Sequence, residues 1–306
     1  MADVCTIREA VESDLPHVME WWRDAFNFEF DLETLKIMLQ HGEGGGSFTA
    51  VTSSGEPIGF VNCAVAGDTA FGGHYIVRRD ARGTGAGRLL SQRLLAHVGG
   101  QRSLGINSVA YRVAPNKKIG FTTESFTMTF RYYTVNHAAP PPLDDDDVIG
   151  TTSDDVIVKP YDEGMLEAVL AYDRGIAGHD RGAYLRPCLR AYGKLTMVAM
   201  DAAAAGAITG YAVASDMTGC VSHGIFPLYG DDPRVQRHLL ASLLAALPDG
   251  AEACALTPDA NAHASRMLER IGFRYDLQTT RMYTGRALIL PLQKCLSNLN
   301  FDACAI

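Results

Sequence analysis

Two hydrophobic periods alternate along the chain. "HYIV" (residues 74–77) is β-branched and aromatic and reads as a buried strand. "GRLLSQRLLAHV" sets Leu89, Leu90, Leu94 and Leu95 at helical spacing, with arginines on the other side. Upstream, "FTAVTSSGEPIGFVNCAVAGD" predicts two strands joined at Gly55-Glu56-Pro57. The opening "TIREAVESDLPHVMEWW" predicts a short strand, a Ser/Asp cap and an amphipathic helix. Downstream, "INSVAYRV" and "FTTESFTMTFRYYTV" predict further strands, the first of them carrying Tyr111. Strands alternating with helices in this order predict an α/β class protein built on a mixed sheet with helices on both faces.

The same grammar occurs twice. "VIVKPYDEGMLEAVLAYD" repeats the opening, with Lys159 matching Arg8 at an offset of 151. "IGFRYDLQTTRMYTG" repeats "IGFTTESFTMTFRYY", with Gly272 matching Gly120 at an offset of 152. Offsets that agree this closely predict a duplicated domain. Between the copies, "HAAPPPLDDDDVIGTTSDD" is rich in proline and aspartate and reads as a linker. The expected domains are therefore 1–137, a linker at 138–155, and 156–306.

Composition narrows the class. The 306 residues are 47% hydrophobic and 20% charged, as in a soluble globular protein. No run reaches membrane-spanning length, and the acidic, broken N-terminus does not read as a signal peptide, so a cytoplasmic location is expected. Seven scattered cysteines lack a C-x-x-C pair and nine histidines lack ligand spacing. Reduced thiols and no metal follow as expectations.

Charge directs attention to "DARGTGAGRLL". The chain has a formal net charge of −8, yet residues 81–123 contain seven Arg and Lys and no carboxylate. A basic island in an acidic protein suggests a local polyanionic ligand in place of a nucleic-acid surface. The glycines lie where a strand becomes a helix, so backbone N–H groups and the helix N-terminus form an anion site. A Walker A loop requires Gly-Lys-Ser/Thr, and here Arg88 follows Gly87. A dinucleotide fingerprint requires a third glycine where Arg88 stands and an acidic residue about 20 positions on, which is missing.

What remains is R-x-x-G-x-G: Arg82, Gly83, Thr84, Gly85, Ala86, Gly87. It resembles the acyl-CoA pyrophosphate loop of the GNAT superfamily of N-acetyltransferases. Over nearly the whole chain the order of elements is similar to tandem GNAT proteins of the YitH type, with "YDRGIAGHDRGAYLRPCL" and "RMYTG" as characteristic segments. The resemblance implies two tandem GNAT-like domains, each a mixed, mostly antiparallel sheet flanked by helices. It implies acetyl-CoA, or another acyl-CoA, as co-substrate. Backbone groups of Ile76, Val77 and Arg78 would pair with the pantetheine arm. Residues 82–87 would hold the pyrophosphate, with Arg88 adding charge.

Acetyl transfer to an amine also needs an acid for the leaving thiolate and a base for the amine. The family's usual tyrosine acid, four positions before Gly-Phe, is replaced by Asn116, which cannot donate a proton as an acid but can hydrogen-bond the sulfur or the pantetheine as a cofactor-binding residue. Tyr111 or water are the alternatives. His74, on the strand that carries the thioester, is the candidate base, a structural histidine being the other reading. Alternation puts His74 and Ile76 on one face and Tyr75 and Val77 on the other. Glu29, with Asp31 nearby, is a candidate for attracting a cationic amine. In the second copy the glycine loop is replaced by "GDDP", whose carboxylates would repel pyrophosphate, and Asp231 and Asp232 read as helix caps. That copy is expected to be degenerate and to cover the acceptor site. Asp173, His179, Asp180 and Arg181 are expected either to contact the acceptor or to serve as caps and salt bridges.

These readings predict N-acylation of a small-molecule amine by direct attack in a ternary complex. The alternatives are a non-catalytic acyl-CoA-binding or regulatory protein and a protein N-acetyltransferase.

Overall fold

The computed structural model describes residues 5–41, 46–139, 156–203 and 206–298. Most of the expected linker, residues 140–155, lies outside the described residues. In the first half the order is β1 (Thr6–Glu9), α1 (Leu15–Phe26), β2 (Phe28–Phe30), α2 (Leu32–His41), β3 (Gly46–Val51), β4 (Pro57–Ala66), β5 (Thr69–Val77), α3 (Ala86–Val98), β6 (Ser103–Val109), α4 (Ala110–Lys118) and β7 (Thr123–Thr134). The second half repeats it with β8 (Val156–Pro160), α5 (Leu166–Ala177), α6 (Gly182–Tyr192), β9 (Thr196–Asp201), β10 (Ile208–Gly219), β11 (His223–Gly230), α7 (Pro233–Ala246), β12 (Glu252–Pro258), α8 (Ala262–Arg270) and β13 (Arg274–Tyr283). A short strand β14 (Cys295–Ser297) follows.

The sheet is mixed, mostly antiparallel and flanked by helices, and it is continuous across both halves. Its order is β1-β3-β4-β5-β6-β13-β7-β12-β11-β10-β9-β8. The final strands of the halves are exchanged. β13 inserts between β6 and β7, with Arg281 opposite Asn107, while β7 pairs with β12 along seven residues. A sequence boundary at 137 therefore divides the chain without dividing the sheet.

One apolar cluster is shared between the halves, joining Trp22, Phe28 and Phe30 to Tyr184, Met217 and Phe226. Polar contacts reinforce it: Tyr192 Oη donates to Asp31 Oδ1 at 2.6 Å and lies 2.7 Å from Thr34 Oγ1. Asp31 also accepts from Thr34 N at 2.7 Å, capping α2. It is thus occupied by a cap and by the junction of the halves, a correction to its expected place beside an amine.

Residues 110–118 form α4, which corrects the reading of Tyr111 as part of a strand. β6 ends at Val109, and Tyr111 sits on the first turn of the helix, 75% exposed. Pro115 lies within that short helix.

Candidate active site

The site begins where β5 leaves β6. These parallel strands pair only at Thr69–Ser103, Ala70–Leu104 and Phe71–Gly105, and then diverge. On its other side β5 stays paired with β4, through a bulge: Phe60 faces Ile76 while Asn62 faces Gly73, so β5 carries one extra residue there. His74 sits in the bulge with φ of +43°, a left-handed conformation uncommon outside glycine. The extra residue turns Tyr75 toward α3, where its hydroxyl lies 3.4 Å from Ser91 Oγ, and turns His74 toward α1.

Main-chain directions follow from the register. Arg78 N donates to Ile58 O at 2.9 Å, so Arg78 faces β4. Alternation aims Ile76 the same way and turns Val77 toward the gap beside β6. The carbonyl of Val77 accepts from Arg82 Nε at 3.1 Å, and its N–H faces the gap. The expected pantetheine contacts from Ile76 and Arg78 are thereby corrected: Ile76 pairs with Phe60 of β4, the Arg78 N–H serves β4, and the Arg78 carbonyl accepts from Ala81 N at 3.0 Å. The Arg78 guanidinium is also engaged, pairing with Glu56 and, at 2.7 Å, with Asp80.

The glycine loop closes one end of the gap. Gly83 and Gly85 have φ of +84° and +98°, which side chains other than glycine adopt at a cost. Gly85 is the N-cap of α3 and offers no side chain to cap it, so the first-turn donors of Ala86, Gly87 and Arg88 lack a capping partner. Thr84 Oγ1 turns inward to Ala81 O at 2.7 Å, and Ala86 is buried in the core. Arg82 and Arg88 flank the loop on the surface. The arrangement fits a diphosphate: uncapped donors, a positive helix end and two guanidinium groups.

A cavity of about 690 Å³ runs from this loop through the gap to the inner face of α1. Its wall includes Val77, Arg82, Gly83, Gly85, Gly87, Arg88, Tyr111 and Asn116. Asn116 is buried, and its Nδ2 donates to Ser108 Oγ at 2.9 Å. Its backbone carbonyl accepts from Phe121 N at 3.1 Å, so the residue also fastens the end of α4. The far end is apolar and aromatic, formed by Trp22, Phe26, Phe28 and Phe30, with Leu277 and Thr279 supplied by the exchanged strand β13.

Glu29 and His74 do meet, but behind that wall. Neither contributes to the cavity lining, and both are fully buried. His74 packs on Trp22 at 4.9 Å between ring centroids and against Phe30 at 5.5 Å. Burial drives the Glu29 carboxyl well above the usual carboxylate range, opposed by a 2.5 Å hydrogen bond from Phe30 N and by the charge of Arg23. The structure therefore corrects two expectations: His74 as a base in contact with substrate, and Glu29 as an anionic lure for an amine. The aromatic positions of "FNFEF" face the cavity, where the sequence had drawn attention to its acidic position. The alternation of Phe28, Glu29 and Phe30 was the available signal. Nothing local to the first half signalled Leu277 and Thr279.

The second-half candidates lie elsewhere and are corrected likewise. Asp173 and Arg181 form a fully buried, two-pronged ion pair, with Arg181 Nε 3.0 Å from Asp173 Oδ2. Tyr211 Oη donates to the same carboxylate at 2.5 Å. Asp180 caps α6 through Gly182 N at 2.7 Å and pairs with Arg174 at 2.6 Å. His179 Nδ1 lies 3.1 Å from Ala177 O. None of these residues lines the cavity.

The corresponding gap of the second half is filled. β11 and β12 pair in parallel over three residues and then part. β14 enters there, pairing with β11 at Leu228 and Tyr229, while Leu256 N donates to Ser297 Oγ at 3.0 Å and Asn298 N to Leu256 O at 2.8 Å. At the N-terminus of α7, Asp232 Oδ1 accepts from Arg234 N and Val235 N at 2.8 and 3.1 Å. A carboxylate thus takes the donors that the first half leaves uncapped.

Among the described residues no cluster of His, Cys, Asp and Glu is arranged to hold a metal, and no helix is long and apolar enough to cross a membrane. Burial pushes the Cys63 thiol up to about 11, away from thiolate chemistry.

Comparisons with known proteins agree with this geometry. A model of the acetyltransferase (GNAT) family matches residues 15–121, and a model of the acetyltransferase (GNAT) domain matches residues 169–294. The holothin acyltransferase of Pseudoalteromonas sp. (strain SANK 73390) is 26% identical over 217 residues, 71% of this chain and 67% of that protein. A crystal structure from Pyrococcus horikoshii aligns with a TM-score of 0.73 at 19% identity, covering 98% of this chain and 95% of that one. A tandem GNAT protein from the clavulanic acid biosynthesis pathway aligns with a TM-score of 0.64 at 13% identity, covering 93% and 100%. The two matched segments fall one in each half of the exchanged sheet, and the chain belongs to the GNAT acetyltransferase family as a tandem of two GNAT domains.

Proposed function

We propose that the first half is an acyl-CoA-dependent N-acyltransferase acting on a small-molecule amine, and that the second half is a non-binding copy that completes its site. The observation that carries this reading is the uncapped glycine loop at residues 82–88 opening onto a cavity that passes between β5 and β6. The family's co-substrate is an acyl-CoA, and acetyl-CoA is the form proposed here. The backbone N–H groups at the start of α3 hold its diphosphate with Arg82 and Arg88. The Val77 N–H hydrogen-bonds the pantetheine or the thioester carbonyl. Attack is direct, within a ternary complex, and no cysteine is among the described residues of the cavity wall. Tyr111, exposed on the cavity wall, is the hydroxyl proposed to return a proton to the thiolate.

A second reading, acyl-CoA binding without turnover, is favoured by one observation: Asn116 stands in the acid position and its amide is committed to Ser108. Calorimetric titration with acetyl-CoA, followed by thiol release over a panel of amines, tests both. One site per chain with amine-dependent release supports transfer. Binding without release supports the second reading, and no binding ends both.

A further inference from the structure

We propose that the acceptor is an aromatic amine whose nitrogen is already neutral at physiological pH, such as an aniline-like or heteroaryl amine, and not an alkylammonium ion. The inference rests on the acyl-transfer reading above and adds the substrate class.

The acceptor end of the cavity is bounded by Trp22, Phe26, Phe28 and Phe30. The charged groups of the cavity wall are Arg82, Arg88 and Arg112, and the remaining titratable ones are Tyr75 and Tyr111. No Asp, Glu, His or Lys is among the described wall residues. Glu29 and His74, 3.6 Å from one another, are fully buried behind Trp22 and Phe30 and do not line the cavity. An alkylamine with a pKa of about 10 enters as a cation. It would be desolvated against aromatic carbon, with no carboxylate among the described wall residues to pair with and no base there to relieve it of a proton.

An aromatic cage for a cation needs free ring faces, and these rings are engaged. Trp22 packs against Phe26 at 4.8 Å and His74 at 4.9 Å with the rings tilted by 40° and 49°, and Phe28 lies parallel to Phe130 at 5.2 Å. A flat neutral ring suits the same wall by burying apolar area and stacking edge-on.

Chemically, the nitrogen lone pair attacks the thioester carbonyl carbon, the C–N bond forms, and the C–S bond breaks with its electron pair remaining on sulfur. The proton lost from nitrogen balances the proton gained by the thiolate, through water or Tyr111. The products are an aryl amide and the free thiol. No group of the protein has to deprotonate the amine before attack.

The test uses the intact chain at saturating acetyl-CoA, measuring thiol release with 4-substituted anilines and with 2-phenylethylamine from pH 6 to 9. Aniline kcat/KM is expected to be flat over this range. The phenylethylamine value is expected to be at least tenfold lower at pH 7 and to rise about tenfold per pH unit, following its free-base fraction. Preference for the alkylamine at pH 7, with a plateau below its pKa, would overturn the inference while leaving acyl transfer standing. Acetyl-CoA binding with no release from either amine, or no binding, would overturn the acyl-transfer reading itself, and this inference with it. Ala25→Glu, at an exposed position of the cavity wall on α1, places a carboxylate there; it should move the ratio toward the alkylamine by up to about fivefold. An unchanged ratio would count against the inference.

Discussion

The His74 imidazole lies 3.6 Å from the Glu29 carboxylate, and neither side chain reaches the cavity beside them. The pair joins the bulge of β5 to the strand β2 that follows α1, beneath the aromatic end of the cavity wall. Its chemistry is that of a buried polar contact under an aromatic lining, which leads to two of the predictions below.

Glu29→Gln should stabilise the protein more at pH 8 than at pH 5. Burial raises the Glu29 pKa in the folded state, so the folded chain retains a proton that the unfolded chain releases. Stability is unpenalised below the unfolded-state pKa and falls as pH climbs from there toward the folded-state value. The glutamine variant cannot ionise and avoids that fall. Thermal melts of both proteins across this range check it, and a gain confined to low pH would reverse the sign.

His74→Ala should destabilise by roughly 2–4 kcal/mol through the void left beneath Trp22 and Phe30. It should leave acetyl-CoA affinity and the pH profile of kcat/KM unchanged. Denaturant midpoints and a pH–rate series measure these separately. Loss of an ionisation from the profile would restore His74 as a base.

Gly85→Asp should lower acetyl-CoA affinity at least tenfold with the fold retained. The residue has φ of +98° with open space around its Cβ, so the cost in the fold is a backbone strain of about 1–2 kcal/mol. The added carboxylate meets the uncapped first turn of α3, as Asp232 meets that of α7. Calorimetry gives the affinity and circular dichroism the fold; unaltered binding would remove the loop from the site.

Titration of the native protein should give one acetyl-CoA per chain, and Asp232→Gly should still give one. Removing the cap frees the α7 donors, but β14 continues to fill the gap between β11 and β12. A second site in the variant would show that the carboxylate alone silences the second half.

Asp173→Asn should cost about 3–5 kcal/mol, since it strands the fully buried Arg181 guanidinium, while acetyl-CoA binding persists. Unfolding and calorimetry on the same sample check both parts. Loss of ligand binding in a folded variant would connect this pair to the site after all.

Local pattern was enough for the duplication, the glycine loop and the lost loop of the second half. Gly83, Gly85 and the Leu89/Leu90/Leu94 stripe specify a strand-to-helix turn through conformations and faces that depend on neighbours in the chain. Asp232 as a helix cap is readable for the same reason, because the donors it meets lie two and three residues ahead. Tyr111 was misassigned because "SVAYRV" has a strand's composition, whereas β6 stops at Val109 and the next residues turn into α4.

Tertiary structure alone decided which groups face the cavity. The bulge at His74 depends on the register between β4 and β5, a relation between segments that no single segment encodes. Leu277 and Thr279 reach the first half's cavity because β13 crosses into its sheet, and β14 fills the second gap because the chain returns to it after β13. Glu29 and Phe30 are adjacent in sequence, yet one is sealed from the cavity and the other lines it. Burial at that scale is set by packing of α1, β2 and the partner half, and so is whether a carboxyl group there is a charge at all.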